Sequence, residues 1–126
     1  MKSREMGLRL KRFAANEAAR KVADLESMIR EFETMSADLE RQIGAEEDRT
    51  GIRDRAHFAY STFAKSAAAR RDKLRASVDE LRGKLEAAQR EKDAAEEQLS
   101  LAGSAEPRED LRSRRRPERA AGAALR

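Results

Sequence analysis

Side chains that could perform chemistry are sparse in this sequence. His57 is the single histidine and the chain has no cysteine, so disulfides, thiolate zinc sites and cysteine nucleophiles are excluded. A metal site would have to consist almost wholly of carboxylates, and we therefore predict no metal ligand. The six glycines lie at least seven positions apart, unlike the clustered glycines of a phosphate-binding loop. The sequence predicts no cofactor and no nucleotide hydrolysis by this chain.

Carboxylates are the abundant reactive groups, with 24 Asp and Glu residues among 126. General acid or base catalysis needs a carboxylate that is desolvated in a pocket. Alternatively, these residues cover solvated helix faces and form ion pairs such as Glu80 with Lys84, four positions apart. This second interpretation predicts that the protein is not an enzyme, has no catalytic residues and takes no small-molecule substrate.

The composition indicates the scaffold that carries these charges. Charged residues make up 41% of the chain, apolar residues 39% and aromatic residues 4%, and there are only two prolines. Such a composition is typical of long helices and coiled coils, which need an apolar stripe rather than a round core. The longest run without Asp, Glu, Lys or Arg, 56–64, is far too short to cross a bilayer. We expect a soluble cytoplasmic protein.

Apolar residues recur with the alternating three- and four-residue spacing of a coiled coil in two stretches. The pattern stops around Gly44 and Gly51, which predicts a short connection between antiparallel helices. We predict an all-α, long antiparallel two-helix coiled-coil hairpin with arms at 4–46 and 56–101 and a turn at 47–55. The predicted a positions include Leu8, Ala15, Val22, Ile29, Ser36, Ile43, Ala64, Val78, Leu85 and Leu99, and the d positions include Ala18, Leu25, Phe32, Leu39, Tyr60, Ala67, Leu74, Leu81, Ala88 and Ala95. Arg71 and Lys92 interrupt the second stretch at a positions.

The register of the hairpin can be predicted from residue numbers. In an antiparallel pair an a residue faces a d residue, so the numbers of facing residues add up to a constant. Centring the turn at Gly51 gives a sum of 103, which pairs Leu25 with Val78, although sums of 96 and 110 also place every a opposite a d. The sum of 103 places Lys11 opposite Lys92, which predicts a weakly packed open end.

Basic residues are concentrated at the two chain ends. Residues 1–12 contain five basic side chains and one acidic side chain. Residues 102–126 contain seven basic and four acidic side chains. Because Pro107 and Pro117 both lie in the second segment, we predict that 102–126 is a disordered basic tail.

The first helical turns combine apolar and basic side chains. Met6, Leu10 and Phe13 lie near one helix face, with basic residues around them. This pattern fits either binding to a membrane surface or docking on an acidic partner.

Three of the five aromatic residues, Phe58, Tyr60 and Phe63, lie within six positions at or just after the predicted turn. Two interpretations remain open. The rings could fill the closed end of the hairpin, where Tyr60 has a seam position, or they could form an exposed patch that binds a partner.

Several segments resemble one bacterial branch of the FliJ family of flagellar export proteins, over residues 1–100. The segment HFAY at 57–60 carries the most specific part of the resemblance. Members of that branch tend to have proline where this chain has Arg55 and Ser61, so we expect a more helical tip here. The other matching segments are MKSR at 1–4, LRLKRF at 8–13, AEE at 45–47, GI at 51–52, AK at 64–65, RRD at 70–72 and DEL at 79–81.

The resemblance implies a rod similar to the central stalk of rotary ATPases. FliJ-like proteins bind the hexameric flagellar export ATPase and promote assembly of its ring. They also contact the cytoplasmic part of the export gate membrane protein and escort export chaperones. The resemblance further implies a cytoplasmic location, peripherally associated with the flagellar basal body at the inner membrane.

On this basis we assign two sets of partner-binding residues. The set at the ATPase end is Arg4, Arg9, Lys11 and Arg12, and the set at the gate end is Phe58, Tyr60 and Phe63. Two other classes of function stay open. One is a coiled coil that binds nucleic acid through its basic tail, which we disfavour, and the other is a homo-oligomeric scaffold.

Overall fold

Two helices and one connection make up the computed structural model, which describes the backbone of residues 2–125 and the side chains of residues 2–104. Helix α1 spans Lys2–Thr50 and helix α2 spans Thr62–Leu125. The described backbone contains no strand. The predicted all-α helical hairpin is confirmed.

The helices form because Ala, Leu, Arg, Glu and Lys, the best helix formers, dominate both segments. Glu5 in the first turn of α1 and Arg49 in its last turn complement the helix dipole. Helices of this length still depend mainly on packing of an apolar stripe against another element.

The chain forms two compact units. One, here called the loop unit, is Lys21–Ala88, and the other, here called the terminal unit, combines Met1–Arg20 with Gln89–Arg126. In the loop unit the helices run antiparallel, and their apolar seam forms two clusters. The first cluster contains Val22, Leu25, Ile29, Phe32, Val78, Leu81, Leu85 and Ala88, and the second contains Leu39, Ile43, Ile52, Tyr60, Ala64, Ala67, Ala68 and Leu74.

The terminal unit has less buried apolar surface among its described side chains. Ala15 is buried, whereas Leu8, Ala18 and Leu99 are only half-buried. Because burial of large apolar side chains is the main source of stability, we infer that the loop unit supplies most of the packing free energy.

The connection lies later in the chain, and is longer, than the sequence predicts. It spans residues 51–61 rather than 47–55, so α1 extends beyond residue 46 to Thr50 and α2 begins at Thr62 rather than at 56. The expectation of a more helical tip is wrong, because turns stabilised by local hydrogen bonds replace helix across this segment.

The register predicted from Gly51 is wrong by one heptad. Glu40 pairs with Arg71 at 2.6 Å, and their residue numbers add up to 111. Glu33 pairs with Arg82 at 3.2 Å, and their residue numbers add up to 115. A sum of 103 would separate Glu33 from Arg82 by twelve positions, or roughly 18 Å along the helix axis, which is beyond the reach of an ion pair.

The observed pairs therefore select the alternative sum of 110. In this register Leu25 does not face Val78. The predicted layer of Lys11 against Lys92 lies in the terminal unit and rested on the sum of 103, which the ion pairs of the loop unit contradict there. Lys92 is half-buried, and its ammonium lies 3.9 Å from Glu96 on the same helix.

The bounds of α2 include residues 102–125, for which the sequence predicts a disordered tail. The side chains from 105 onward lie outside the described residues. Disorder of this segment therefore stays a prediction.

The register can be tested with engineered disulfides. Ile29→Cys with Leu81→Cys joins positions whose numbers add up to 110, and we expect this pair to oxidise within one chain at high dilution. Leu25→Cys with Val78→Cys is the matched control from the same apolar cluster. In the register with a sum of 110, the two positions of this control pair are offset by seven residues, or about 10 Å along the helix axis. A disulfide requires Cα atoms within about 7 Å of each other. Efficient closure of the control pair, with failure of the first, would restore the sum of 103.

Candidate functional site

The connection between the helices begins at a glycine with left-handed backbone. Gly51 has φ +74°, a conformation that costs L side chains energy, and its N–H donates to the carbonyl oxygen of Glu47 at 2.8 Å. This is the αL arrangement that ends many helices. Gly51 therefore terminates α1 and does not mark the centre of the turn.

Two consecutive turns carry the chain from Gly51 to α2. The Asp54 carboxylate accepts from the Ala56 N–H at 3.0 Å, and the Asp54 carbonyl accepts from the His57 N–H at 3.1 Å. The His57 imidazole Nδ1 accepts from the Ala59 N–H, and its carbonyl accepts from the Tyr60 N–H, both at 3.0 Å. These side chains take the place of helical hydrogen bonds, as Asp commonly does in turns.

Ser61 caps the start of α2 and joins it to α1. Its Oγ accepts from the Ala64 N–H at 3.2 Å, which is the bond of an N-terminal helix cap. The same hydroxyl donates to Glu46 Oε1 at 3.0 Å. Next to it, the Tyr60 hydroxyl donates to Glu47 Oε2 at 2.8 Å. Two neighbouring carboxylates at the end of α1 thus hold the start of α2.

These contacts shift the ionisation of the groups involved. The pKa of Glu46 is lowered, chiefly by its hydrogen bond from Arg49 and then by that from Ser61. The pKa of Tyr60 is raised, first by burial and then by its hydrogen bond to Glu47. At physiological pH these contacts therefore involve a charged Glu46 carboxylate and a neutral Tyr60 phenol.

The structure separates the three aromatic residues of the predicted gate end. Tyr60 is buried, with 8% of its surface exposed, and belongs to the second apolar cluster. Phe58 is 96% exposed and Phe63 is 55% exposed. Tyr60 therefore fills the closed end of the hairpin, which removes it from the predicted docking set. Phe58 and Phe63 remain available to a partner.

Phe58 is presented by an ordered part of the connection. Its ring stacks on the His57 imidazole with ring centroids 4.7 Å apart and an interplanar angle of 22°. The His57 ring is itself fixed by the hydrogen bond from Ala59. A partner would thus meet a large apolar side chain that contacts one imidazole and is otherwise open to solvent.

A buried arginine interrupts the seam in the loop unit. Arg71 occupies an a position with 6% of its surface exposed, and its guanidinium donates to Glu40 at 2.6 Å and to Asp72 at 3.0 and 3.2 Å. The hydrogen bond from Arg71 is the main reason that the pKa of Glu40 is lowered. Among the described residues, no buried side-chain nitrogen or oxygen lacks a hydrogen-bond partner.

The heptad pattern marks Arg71 as an interruption of the seam but does not reveal its carboxylate partners. A charged residue at an a position is the signal that could have predicted them, because a buried guanidinium requires a nearby acceptor. The sequence pattern also does not reveal the roles of Glu46 and Glu47, which it places next to or within the turn. Their position at the end of α1 became apparent only with the true helix boundary.

Four basic residues predicted for the ATPase end lie on α1 in the terminal unit, and all four are exposed. They do not share one helix face. Arg4 and Lys11 occupy d positions, on the same side as Leu8, whereas Arg9 and Arg12 occupy b and e positions. Arg9 and Arg12 are therefore better placed than the other two to bind a partner that approaches from outside the seam.

Other kinds of site have little support among the described residues. A groove in the loop unit is lined by residues that include Glu33, Glu40, Arg75 and Arg82. The charged residues at its rim already pair with each other, Arg75 with Glu40 and Arg82 with Glu33, each at 3.2 Å.

Within residues 2–104, no three His, Asp or Glu side chains are grouped so that they could hold a metal ion. No helix in the described part is long and apolar enough to cross a membrane.

The Arg71 contact predicts how stability depends on pH. Because the pKa of Glu40 is lowered on folding, this carboxylate stabilises the fold above its unfolded pKa, and the contribution is lost as pH falls through its folded pKa. We expect Glu40→Gln to lower the free energy of unfolding by about 1 kcal/mol at pH 7, a modest value because Glu40 is half exposed. The difference from the unmodified protein should shrink towards zero near pH 2, measured by urea unfolding.

The control for this prediction is Glu86→Gln, which removes an exposed carboxylate from α2 in the same unit. It should change the stability little at either pH. Equal stability of Glu40→Gln and Glu86→Gln at pH 7 would contradict a stabilising role for the Arg71 contact.

Comparison of the chain with protein-family models, with curated proteins and with solved structures gives no match. The resemblance to the FliJ family therefore enters the functional argument only as a proposal.

Proposed function

We propose that this chain is a non-enzymatic component of the bacterial flagellar type III protein export apparatus. In this proposal it acts as a coiled-coil stalk and general chaperone. Its partners are the hexameric export ATPase, the cytoplasmic part of the export gate and export chaperones. Its role is to promote secretion of flagellar subunits.

The observation that carries the proposal is the closed end of the hairpin. A stalk must hold two helices of one chain together and still present a binding surface at its end. Here Glu46 and Glu47 bind Ser61 and Tyr60 across the two helices, while Phe58 lies outside the apolar cluster. The combination of a fastened tip and an outward aromatic ring supports a docking role, since aromatic anchors often carry most of the interface energy.

Charge supports the assignment of the ATPase-binding residues. Residues 1–12 carry five basic side chains and one acidic one. Such a surface attracts an acidic partner and raises the rate of encounter. Because Arg9 and Arg12 occupy positions outside the a and d seam, their side chains can contact the ATPase without opening the hairpin.

Charge reversal tests the ATPase end. Arg9→Glu with Arg12→Glu should reduce stimulation of the purified export ATPase at least tenfold at low salt, where electrostatic attraction is strongest. Arg30→Glu with Arg41→Glu reverses two exposed charges of the same helix in the loop unit and serves as the control. Full stimulation by the first variant at low salt would remove Arg9 and Arg12 from the interface.

Truncation of the exposed rings tests the gate end. Phe58→Ala with Phe63→Ala should weaken binding to the cytoplasmic part of the export gate at least thirtyfold, equivalent to about 2 kcal/mol, and abolish swimming of a complemented strain. Helicity and melting temperature should stay nearly unchanged, because both rings are exposed.

Two controls accompany this measurement. Met28→Ala with Met35→Ala removes two exposed apolar side chains from α1 and should leave gate binding intact. Tyr60→Phe removes only the hydroxyl bound to Glu47, so it should lower the melting temperature without a specific loss of gate affinity. If the Phe58 and Phe63 variant binds the gate normally, the docking surface lies elsewhere on the chain.

A further inference from the structure

The outer face of α1 changes character after its first turns. We define the outer face as the b, c and f positions, which lie opposite the a and d seam. Up to residue 13 this face contains three large apolar side chains. From residue 14 to Thr50 its residues are charged, polar or small, and none is a large apolar residue. The apolar residues are Met6, Leu10 and Phe13, here called the N-terminal ridge.

The ridge is well exposed in the terminal unit. The exposed fractions are 59% for Met6, 63% for Leu10 and 64% for Phe13. Leu8 and Ala15, on the seam side of the same helix, are half-buried and buried. The ridge therefore does not belong to the packing of the hairpin, and it exposes apolar surface to solvent at a cost.

Charge near the ridge is mainly positive, with Glu5 at an e position as the one acidic residue among 2–13. Lys2 and Arg9 lie on the outer face beside it, and Arg12 lies next to that face at an e position. The outer face has no acidic residue before Glu17. Long lysine and arginine side chains can lie along an apolar surface while their charged ends reach outward by several ångströms.

We propose that the N-terminal ridge binds the surface of an anionic lipid bilayer. The first turns of α1 lie parallel to the membrane, with Met6, Leu10 and Phe13 inserted at the boundary between headgroups and acyl chains. Lys2, Arg9 and Arg12 contact the anionic headgroups around them. This is the arrangement of an interfacial amphipathic helix, in which apolar burial and electrostatic attraction act together.

The chemistry favours a bilayer over a protein groove for two reasons. An anionic bilayer supplies apolar material and negative charge over a wide area, so the three basic residues beside the ridge can all contact headgroups. Each basic side chain held near such a surface raises the affinity about fivefold. A groove on a folded protein would bury the ridge but would need acceptors placed separately for each cation.

The proposal goes beyond the proposed function and does not depend on it, because it concerns the chain and lipid alone. Flotation of the purified full-length chain with vesicles of 30% phosphatidylglycerol in phosphatidylcholine measures binding directly. We expect binding to these vesicles, and at least tenfold weaker binding to pure phosphatidylcholine or at 0.5 M salt. Equally weak binding to both vesicle types would overturn the proposal.

Variants then assign the binding to the ridge. Leu10→Ser with Phe13→Ser should weaken vesicle binding at least tenfold, while circular dichroism confirms unchanged helicity. Met28→Ser with Met35→Ser removes two exposed apolar side chains of α1 outside the ridge and should bind as the unmodified chain does. If the Leu10 and Phe13 variant binds normally, the ridge is not the lipid contact.

Two further outcomes distinguish other occupants. Arg114→Gln, Arg115→Gln and Arg116→Gln together neutralise the basic run of the tail, and loss of vesicle binding only in this variant would overturn the proposal. Loss of ATPase binding in the Leu10 and Phe13 variant, without any vesicle binding by the unmodified chain, would assign the ridge to a protein groove instead.

Discussion

The heptad repeat leaves the register of this hairpin open, and the connection between the helices decides it. Shifting one helix by seven residues again places every a opposite a d. The carboxylates that pair across the seam are also spaced by sevens, because Glu26, Glu33 and Glu40 occupy equivalent positions. A shifted hairpin could therefore present Glu33 to Arg71 where the structure presents Glu40. The contacts at the closed end break this equivalence.

The contacts at the closed end break the equivalence because they are not repeated every seven residues along the chain. Gly51 ends α1, Asp54 and His57 each form a turn, and Ser61 caps α2 while it binds Glu46. The eleven residues of the connection set where the second helix begins. All packing in the loop unit follows from that starting point, including the burial of Arg71 beside Glu40. Local polar contacts at the tip thus determine which apolar layers meet along the seam.

The residues that hold the hairpin together are distinct from those proposed to bind partners, which explains how the proposed binding surfaces coexist with the fold. Residues that hold the hairpin together use the seam, as Tyr60 does when its ring enters the apolar cluster and its hydroxyl binds Glu47. Residues proposed to bind partners lie outside the seam, as Phe58 and the N-terminal ridge do. Substitution of the second group should therefore affect partners with little effect on stability. In the proposals above, partners therefore bind through surface residues that the seam does not use.

The sequence by itself determined the fold class, because an alternating three- and four-residue repeat with so few large apolar residues suits only a two-helix seam. It also determined that Tyr60 could enter the seam and that Phe58 and Phe63 could not both share it. Tertiary structure decided the limits of the connection, since Gly51 looks the same in sequence whether it ends a helix or lies at the centre of a turn. It likewise decided the register, because residues that repeat every seven positions carry no information about a shift of seven. The bonds of Ser61 and Tyr60 to Glu46 and Glu47 supply that information, and they exist only once the two helices meet.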